Sequence, residues 1–192
     1  MKTLKKLTAI ISIFIFSMLA ACGGSQIDEA ADLVAEANKK IAESDRLVKK
    51  TEKKNKELFA VFIKTNEDLQ EYKQEMSAKA KGIVKDFERA SDLAENAADK
   101  FAEAGNLNLP ENYKAYLDTK AEELIKRSEA VEARKENAQA FLDYDDATMI
   151  KKFEENNEKS EKLTAEAREL GKKADKIKEE NGNIYFAETR VK

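Results

Sequence analysis

From Ile27 onwards the apolar residues of this chain return at helical spacing. Ile27, Val34, Ile41, Val48, Phe62, Leu69 and Met76 fall on one seven-residue ladder, with Asn55 a polar member of it. Ala30, Ala37, Leu58 and Tyr72 fill the alternate seam. Spacing sustained over so many repeats predicts an amphipathic, coiled-coil-like helix. After Met76 the register shifts by four residues, and Ala80, Ile83, Phe87, Ala90, Ala94, Ala97 and Phe101 continue the stripe. Such a stutter locally relaxes a supercoil. Gly105 stands where a helix C-terminus favours a left-handed residue, Asn106 to Pro110 reads as a loop, and Pro110 suits the opening of the next helix.

The second half repeats the theme. Leu117, Ala121, Leu124, Ser128, Val131, Ala138 and Leu142 form one stripe, and Met149, Phe153, Ser160, Leu163, Ala167, Leu170, Ala174 and Ile177 form another. Between them Asp143-Tyr144-Asp145-Asp146 offers aspartates as N-caps. Gly182 closes the last stripe, and residues 183–192 form a tail with an apolar patch at Ile184-Tyr185-Phe186.

The first segment has two readings. As one helix, residues 26–104 would extend about 118 Å at 1.5 Å per residue, whereas the later two helices reach only about 50 Å. A reversal near Lys64-Thr65-Asn66 instead gives two helices of matching length, with Thr65 or Asn66 as N-cap and Glu67 and Asp68 in the first turn. The cluster Leu58 to Ile63 would then cover that end. The expectation is an all-α fold, an elongated up-and-down four-helix bundle over residues 26–182, with a three-helix bundle containing one very long N-terminal helix as the alternative.

Ahead of this pattern the chain opens with Lys2, Lys5 and Lys6 and runs nearly without polarity from Leu7 to Ala21, ending in Leu19-Ala20-Ala21-Cys22. The apolar run, about 15 residues, is short of the roughly 20 that a spanning helix needs. Its layout is that of a secretory signal peptide. Leu19-Ala20-Ala21-Cys22 resembles the lipobox of bacterial lipoproteins. That resemblance implies removal of residues 1–21, fatty-acyl chains such as palmitate on Cys22, and a short tether through residue 25. It also implies an extracytoplasmic chain held to the membrane through Cys22. Gly23 rather than aspartate follows the cysteine, which in such families points to the periplasmic side of the outer membrane where a cell has two membranes. Several acyl chains hold a protein firmly where one holds it marginally. Cys22 is the sole cysteine, so no disulfide or catalytic thiol remains.

Loss of those three lysines takes the net charge from −3 to −6, giving an acidic body with no bias towards nucleic acid. Alanine, glutamate, lysine and leucine dominate, with one proline and no tryptophan, which reinforces the all-α reading. Acid-before-base pairs four apart (Glu36/Lys40, Asp45/Lys49, Glu122/Lys126, Glu123/Arg127, Glu155/Lys159, Glu158/Lys162 and Glu169/Lys173) read as solvated outer faces.

Candidate chemistry is sparse. With no histidine in the chain, neither a Ser-His nor a Cys-His dyad can be built. Asp143, Asp145 and Asp146 resemble part of a calcium loop but lack its glycine and distal glutamate, so turn and cap duty is the better reading. The Lys49 to Lys56 run reads as a solvated helix face, with anionic polymers or head groups as the functional alternative. Asn55, Asn156, Ser128 and Ser160 read as register-fixing seam residues. Tyr113, Tyr116 and Tyr144 read as helix-end packing, or as a sticky aromatic end. The expectation is a protein that is not an enzyme and uses no cofactor or metal. It would act as a structural, spacer or partner-recruiting module, with the cell wall, an envelope protein or a second copy of the chain as partner. The order of lipobox followed by a Lys/Glu-rich bundle is loosely similar to cell-wall-binding lipoproteins. The alternative is a module that binds a lipid or small apolar ligand beside small-residue stretches such as Ala94-Ala97-Ala98-Phe101 and Ala133-Ala138-Ala140.

Overall fold

The computed structural model describes residues 2–62, 69–143 and 146–181, with side chains placed for 26–59, 72–143 and 147–181. Four helices form: α1 (Lys2–Phe62), α2 (Leu69–Gly105), α3 (Glu111–Asp143) and α4 (Asp146–Glu180). The last three contain 37, 33 and 35 residues, so each is a rod of about 50 Å. The four-helix reading therefore stands and the three-helix alternative does not. The proposed turn at Lys64-Thr65-Asn66 lies outside the described residues, as do Tyr144, Asp145, Gly182 and the tail. The backbone of α1 is already helical at Gly23, Gly24 and Ser25, where a tether was expected. Each glycine there costs a helix only about 1 kcal/mol relative to alanine.

Antiparallel packing is visible in which residues meet. Along α1 and α2, Leu58 pairs with Tyr72, Lys54 with Asp86, Ser44 with Ala90 and Glu36 with Lys100. The first number falls as the second rises. The Tyr72 hydroxyl donates to the Leu58 carbonyl at 2.7 Å, tying the start of α2 to the end of α1. Between α3 and α4, Asn112 meets Asn181, Lys126 meets Glu166 and Asn137 meets Asn157 in the same descending order. Consecutive helices pack along their lengths, whereas α1 and α4 hardly approach each other at backbone distance.

Two apolar clusters fill the bundle. Near the α4 C-terminus, Val34, Phe101, Leu117 and Leu124 pack with Tyr113 and Ala174. At the opposite end Leu58, Ile83, Phe87, Phe141 and Met149 pack together, with Tyr72 and Phe153 against them. Tyr113 and Tyr116 are buried and stack at 6.3 Å, and Phe101 meets Tyr116 edge-on at 6.4 Å, so both tyrosines serve as packing.

Gly105 ends α2, but not by a left-handed turn: no described residue has a positive φ. The helix tightens instead, with the Asn106 N–H shared between the carbonyls of Ala102 and Glu103, and the Leu107 N–H donating to Ala104 at 3.2 Å. What glycine supplies here is space, because a Cβ at Gly105 would lie 2.8 Å from Asp118 Oδ1 on α3. Pro110 immediately precedes α3, and its carbonyl accepts from the N–H groups of Tyr113 and Lys114.

Candidate ligand cleft between α1 and α4

Because α1 and α4 stand apart, the bundle is open along one side. The opening holds two chambers, of about 280 Å³ and about 430 Å³. The first lies near the middle of the rod, bounded by Ile41, Ser44 and Val48 of α1 and by Thr164 and Ala167 of α4, with Leu124 and Val131 of α3 beneath. The second lies towards the end where α1 and α2 meet. Asn55 and Phe59 of α1 face Phe153 and Asn157 of α4 across it, and Phe87 and Asn137 form its floor.

Arg134 of α3 borders both chambers. Its guanidinium reaches each wall: Nη1 is 2.9 Å from Glu52 of α1, Nε donates to Ser160 Oγ at 3.0 Å, and Nη2 donates to Thr164 Oγ1 at 3.1 Å on α4. The planar fork holds several acceptors at once in a way an ammonium cannot. Arg134 thus bridges two helices whose backbones hardly approach each other.

Unsatisfied polar atoms lie beside the second chamber. Asn137 is 1% exposed, and its Nδ2 donates to Asn157 Oδ1 at 2.8 Å, but its own Oδ1 has no protein partner. Asn55 Oδ1 is likewise without a partner, and away from the chamber so is the hydroxyl of fully buried Thr51. A buried carbonyl left unpaired costs about 1–3 kcal/mol, so the two closed-off amide oxygens weigh against the stability of this part of the bundle. The apolar side of the same chamber is aromatic, with Phe59 and Phe153 rings 4.5 Å apart at 43°.

The residues singled out from sequence are distributed as follows. The side chain of Cys22 lies outside the described residues. Asn55 lines the cleft; Asn156 and Asn157 are both half-buried, but it is Asn157 that lines the second chamber. Ser128 is buried and shares a 2.8 Å hydrogen bond with Ser91, while also donating to Glu95 at 3.0 Å. Ser160 receives Arg134. Of the alanine stretches, Ala94 borders the upper chamber, whereas Ala97, Ala98, Ala133, Ala138 and Ala140 are consumed in packing. In the lysine run, Lys49, Lys50, Lys53 and Lys56 are exposed and Lys54 pairs with Asp86 at 2.6 Å. Asp143 is exposed and accepts from Gln139 Nε2 at 2.9 and 2.8 Å. No group of metal-ligating side chains converges among the described residues.

Several of the expected charged pairs need correction: Glu155 closes on Lys151 and Lys152 rather than Lys159, and Glu169 on Lys172 rather than Lys173. Glu123/Arg127 forms, at 2.6 Å, but Glu123 is buried to 1% exposure rather than lying on an outer face. Lys120 closes on the other carboxylate oxygen at 2.5 Å. Lys126 turns to Glu129 and Glu166 rather than Glu122, and Asp45 faces Arg127 at 3.6 Å.

The sequence reading did not single out Arg134, Asn137 or Asn157. Asn137 stands beside the seam residue Ala138, and the only trace of its burial is that α3, packed on both neighbours, has no wholly polar face. Among the described residues no helix is long and apolar enough to cross a membrane. No protein-family model, curated protein or solved structure matches the chain.

Proposed function

We propose that this chain is a lipid-anchored, non-catalytic envelope protein whose helical bundle spaces or recruits a partner at the membrane surface. The observation that carries the reading is the position of the only cysteine, at the end of Leu19-Ala20-Ala21-Cys22 and directly after a basic start and a short apolar run. The fold is consistent with such a role. Ala30 and Val34 of α1 share one cluster with Ala174 of α4, so the stretch of α1 that follows Cys22 within about three turns and the C-terminal part of α4 lie at the same end of the bundle. The cluster around Leu58, Phe141 and Met149 lies at the other end, about 40 Å away. An anchor at Cys22 would leave that far end facing outward.

Co-sedimentation of the full chain with purified cell-wall sacculi, across a salt series, tests the partner. Saturable binding that survives moderate salt supports wall tethering, since loose charge attraction weakens with ionic strength. Absence of binding contradicts the wall as partner and leaves an envelope protein or a second copy, which cross-linking in intact cells separates.

A second reading, a ligand-binding module, is favoured by the open α1/α4 cleft and the Phe59–Phe153 pair on its wall. A ligand that binds only the folded chain raises its melting midpoint, which tests this reading directly.

A further inference from the structure

Between Arg46 and Lys56 the solvent side of α1 is basic throughout. Arg46, Lys49, Lys50, Lys53 and Lys56 are all exposed and recur three or four residues apart, so they share one face over about 15 Å. Lys81 and Lys85 of α2 are exposed at the same level of the bundle, which the Lys54–Asp86 and Lys79–Glu57 pairs fix. We infer that this face docks a linear phosphate polymer that carries no bases. The inference rests on the partner-recruiting reading above and names the chemistry of the partner.

Neighbouring acids ordinarily neutralise such a run, but here the fold turns them away. Glu43 pairs with Arg89 of α2, Asp45 faces Arg127 of α3 at 3.6 Å, and Glu52 reaches Arg134 at 2.9 Å. Glu57 meets Lys79 at 3.3 Å, and Asp86 meets Lys54 at 2.6 Å. Among the described residues none of the five basic side chains of the stripe is held in an ion pair. Arg46 and Lys50 also border a hollow of about 390 Å³ between α1 and α2, and the two acids of that hollow, Glu43 and Asp86, are already paired. A chain that is acidic overall thus carries one stretch of uncompensated positive charge.

The position of the stripe disfavours a bilayer as its partner. It begins about 36 Å along α1 from Cys22. Asp28 and Asp32, both exposed, stand on the same side of α1 five turns before Arg46 and Lys50. A rod laid on anionic head groups would bring these acids down with the lysines. A protein interface needs an apolar centre, yet the exposed large apolar side chains among the described residues, Ile125 and Ile150, are on α3 and α4. Single-stranded nucleic acid is held by stacking its bases on aromatic rings, and no described aromatic ring is exposed. Four of the five cations are lysines, point charges that meet a phosphate from any direction, whereas planar carboxylate recognition favours arginine.

The test is a titration of the full chain, held in phosphatidylcholine nanodiscs, with inorganic polyphosphate and with poly(glycerol phosphate) across a salt series. Polyglutamate, poly(dT) and vesicles containing phosphatidylglycerol are the contrasts. The stripe variant is Lys49→Gln/Lys53→Gln/Lys56→Gln. A control variant, Lys159→Gln/Lys162→Gln/Lys173→Gln, removes the same charge from exposed positions on α4. Circular dichroism melting confirms that each is folded. The expected result is saturable binding of a phosphate polymer that weakens about 50-fold for a fourfold rise in salt, as about four phosphate contacts require. The stripe variant should bind about tenfold more weakly, with a logarithmic salt slope lower by about two, and the α4 variant within about twofold of wild type. No binding of either phosphate polymer at low salt overturns the inference. Equal weakening in the two variants also overturns it, since net charge alone would then decide. Equal or tighter binding of polyglutamate or poly(dT) overturns the assignment of a base-free phosphate polymer. Stripe-dependent binding confined to the phosphatidylglycerol vesicles replaces the polymer by a bilayer. Should the stripe variant fail to fold, Lys53→Gln alone decides, through a slope lower by about 0.7. None of these outcomes touches the lipid anchor, which the mass of the N-terminal residue reports separately, so failure here is distinguishable from failure of the anchored reading.

Discussion

Gly171 of α4 lies directly against the carboxylate of Glu123 on α3: a Cβ built on Gly171 would stand 3.3 Å from the carboxyl carbon and 3.4 Å from each oxygen. Glu123 is buried to 1% exposure between Lys120 and Arg127. The glycine interrupts an otherwise helix-favouring stretch, and the space it leaves admits a charged group into the α3/α4 contact. Burying a carboxylate is tolerable only when it is paired and hydrogen-bonded, so its position is fixed by its two cations.

Gly171→Ala should therefore destabilise the bundle by about 1 kcal/mol, although alanine is intrinsically the better helix former by a similar amount. In a Glu123→Ala background the obstruction is gone, and the same change should stabilise by about 1 kcal/mol. A double-mutant cycle by denaturant unfolding reads that reversal of sign. Independent, additive effects would contradict the contact.

Gly82 offers the control. A Cβ there meets nothing within 4 Å, and the residue is exposed on α2. Gly82→Ala should raise stability by about 0.5–1 kcal/mol, measured as a shift of the denaturation midpoint without a change in slope.

Phe87 and Phe141, both buried, are central to the cluster beside the cleft. Phe141 packs edge-on against Phe59 at 6.0 Å and Tyr72 at 6.2 Å. Phe141→Ala should cost about 3–5 kcal/mol in equilibrium unfolding, because the ring is shared by three helices and its void cannot easily collapse.

Tyr72 gives a pH-dependent signature. Burial pushes its phenol above the ordinary value of 10.0, and its hydroxyl donates to the Leu58 carbonyl. A raised folded-state value means that the native chain holds this proton more tightly than the unfolded chain does. The contribution is fully present below pH 10.0 and is lost as pH rises through the elevated native value. Tyr72→Phe should lower stability by about 1 kcal/mol at neutral pH and flatten the alkaline decline. Urea unfolding across the alkaline range measures both, and an unaltered decline would contradict the assignment.

The fold was largely legible because the apolar ladders of α2, α3 and α4 carry it. Ile83, Phe87 and Phe101, and Leu117, Leu124 and Val131, are all buried as their spacing requires. The break between α1 and α2 was the harder point, since the heptad passes from Phe62 to Leu69 without interruption and no glycine or proline marks it; the mismatch in helix length and the capping residues Thr65 to Asp68 argued for it. The cleft was not legible. Its apolar lining is shared with the core ladders, and a polar residue on α3 such as Asn137 has the same sequence signature whether it meets solvent or α4. Periodicity reports which face is apolar, but not that α1 and α4 fail to close over α3. Asn157, adjacent to the expected Asn156, shows the same limit: one residue is a rotation of about 100° on a helix, enough to decide which of two half-buried asparagines faces the chamber.

The central claim is that Cys22 anchors the chain, and mass spectrometry of the protein extracted from bacterial membranes tests it most directly. The account predicts a chain that begins at Cys22, with residues 1–21 removed and a thioether-linked, acylated glycerol on its sulfur. It also predicts that Cys22→Ser leaves the chain unacylated. A membrane-derived chain that still begins at Met1 with a free Cys22 thiol would contradict it.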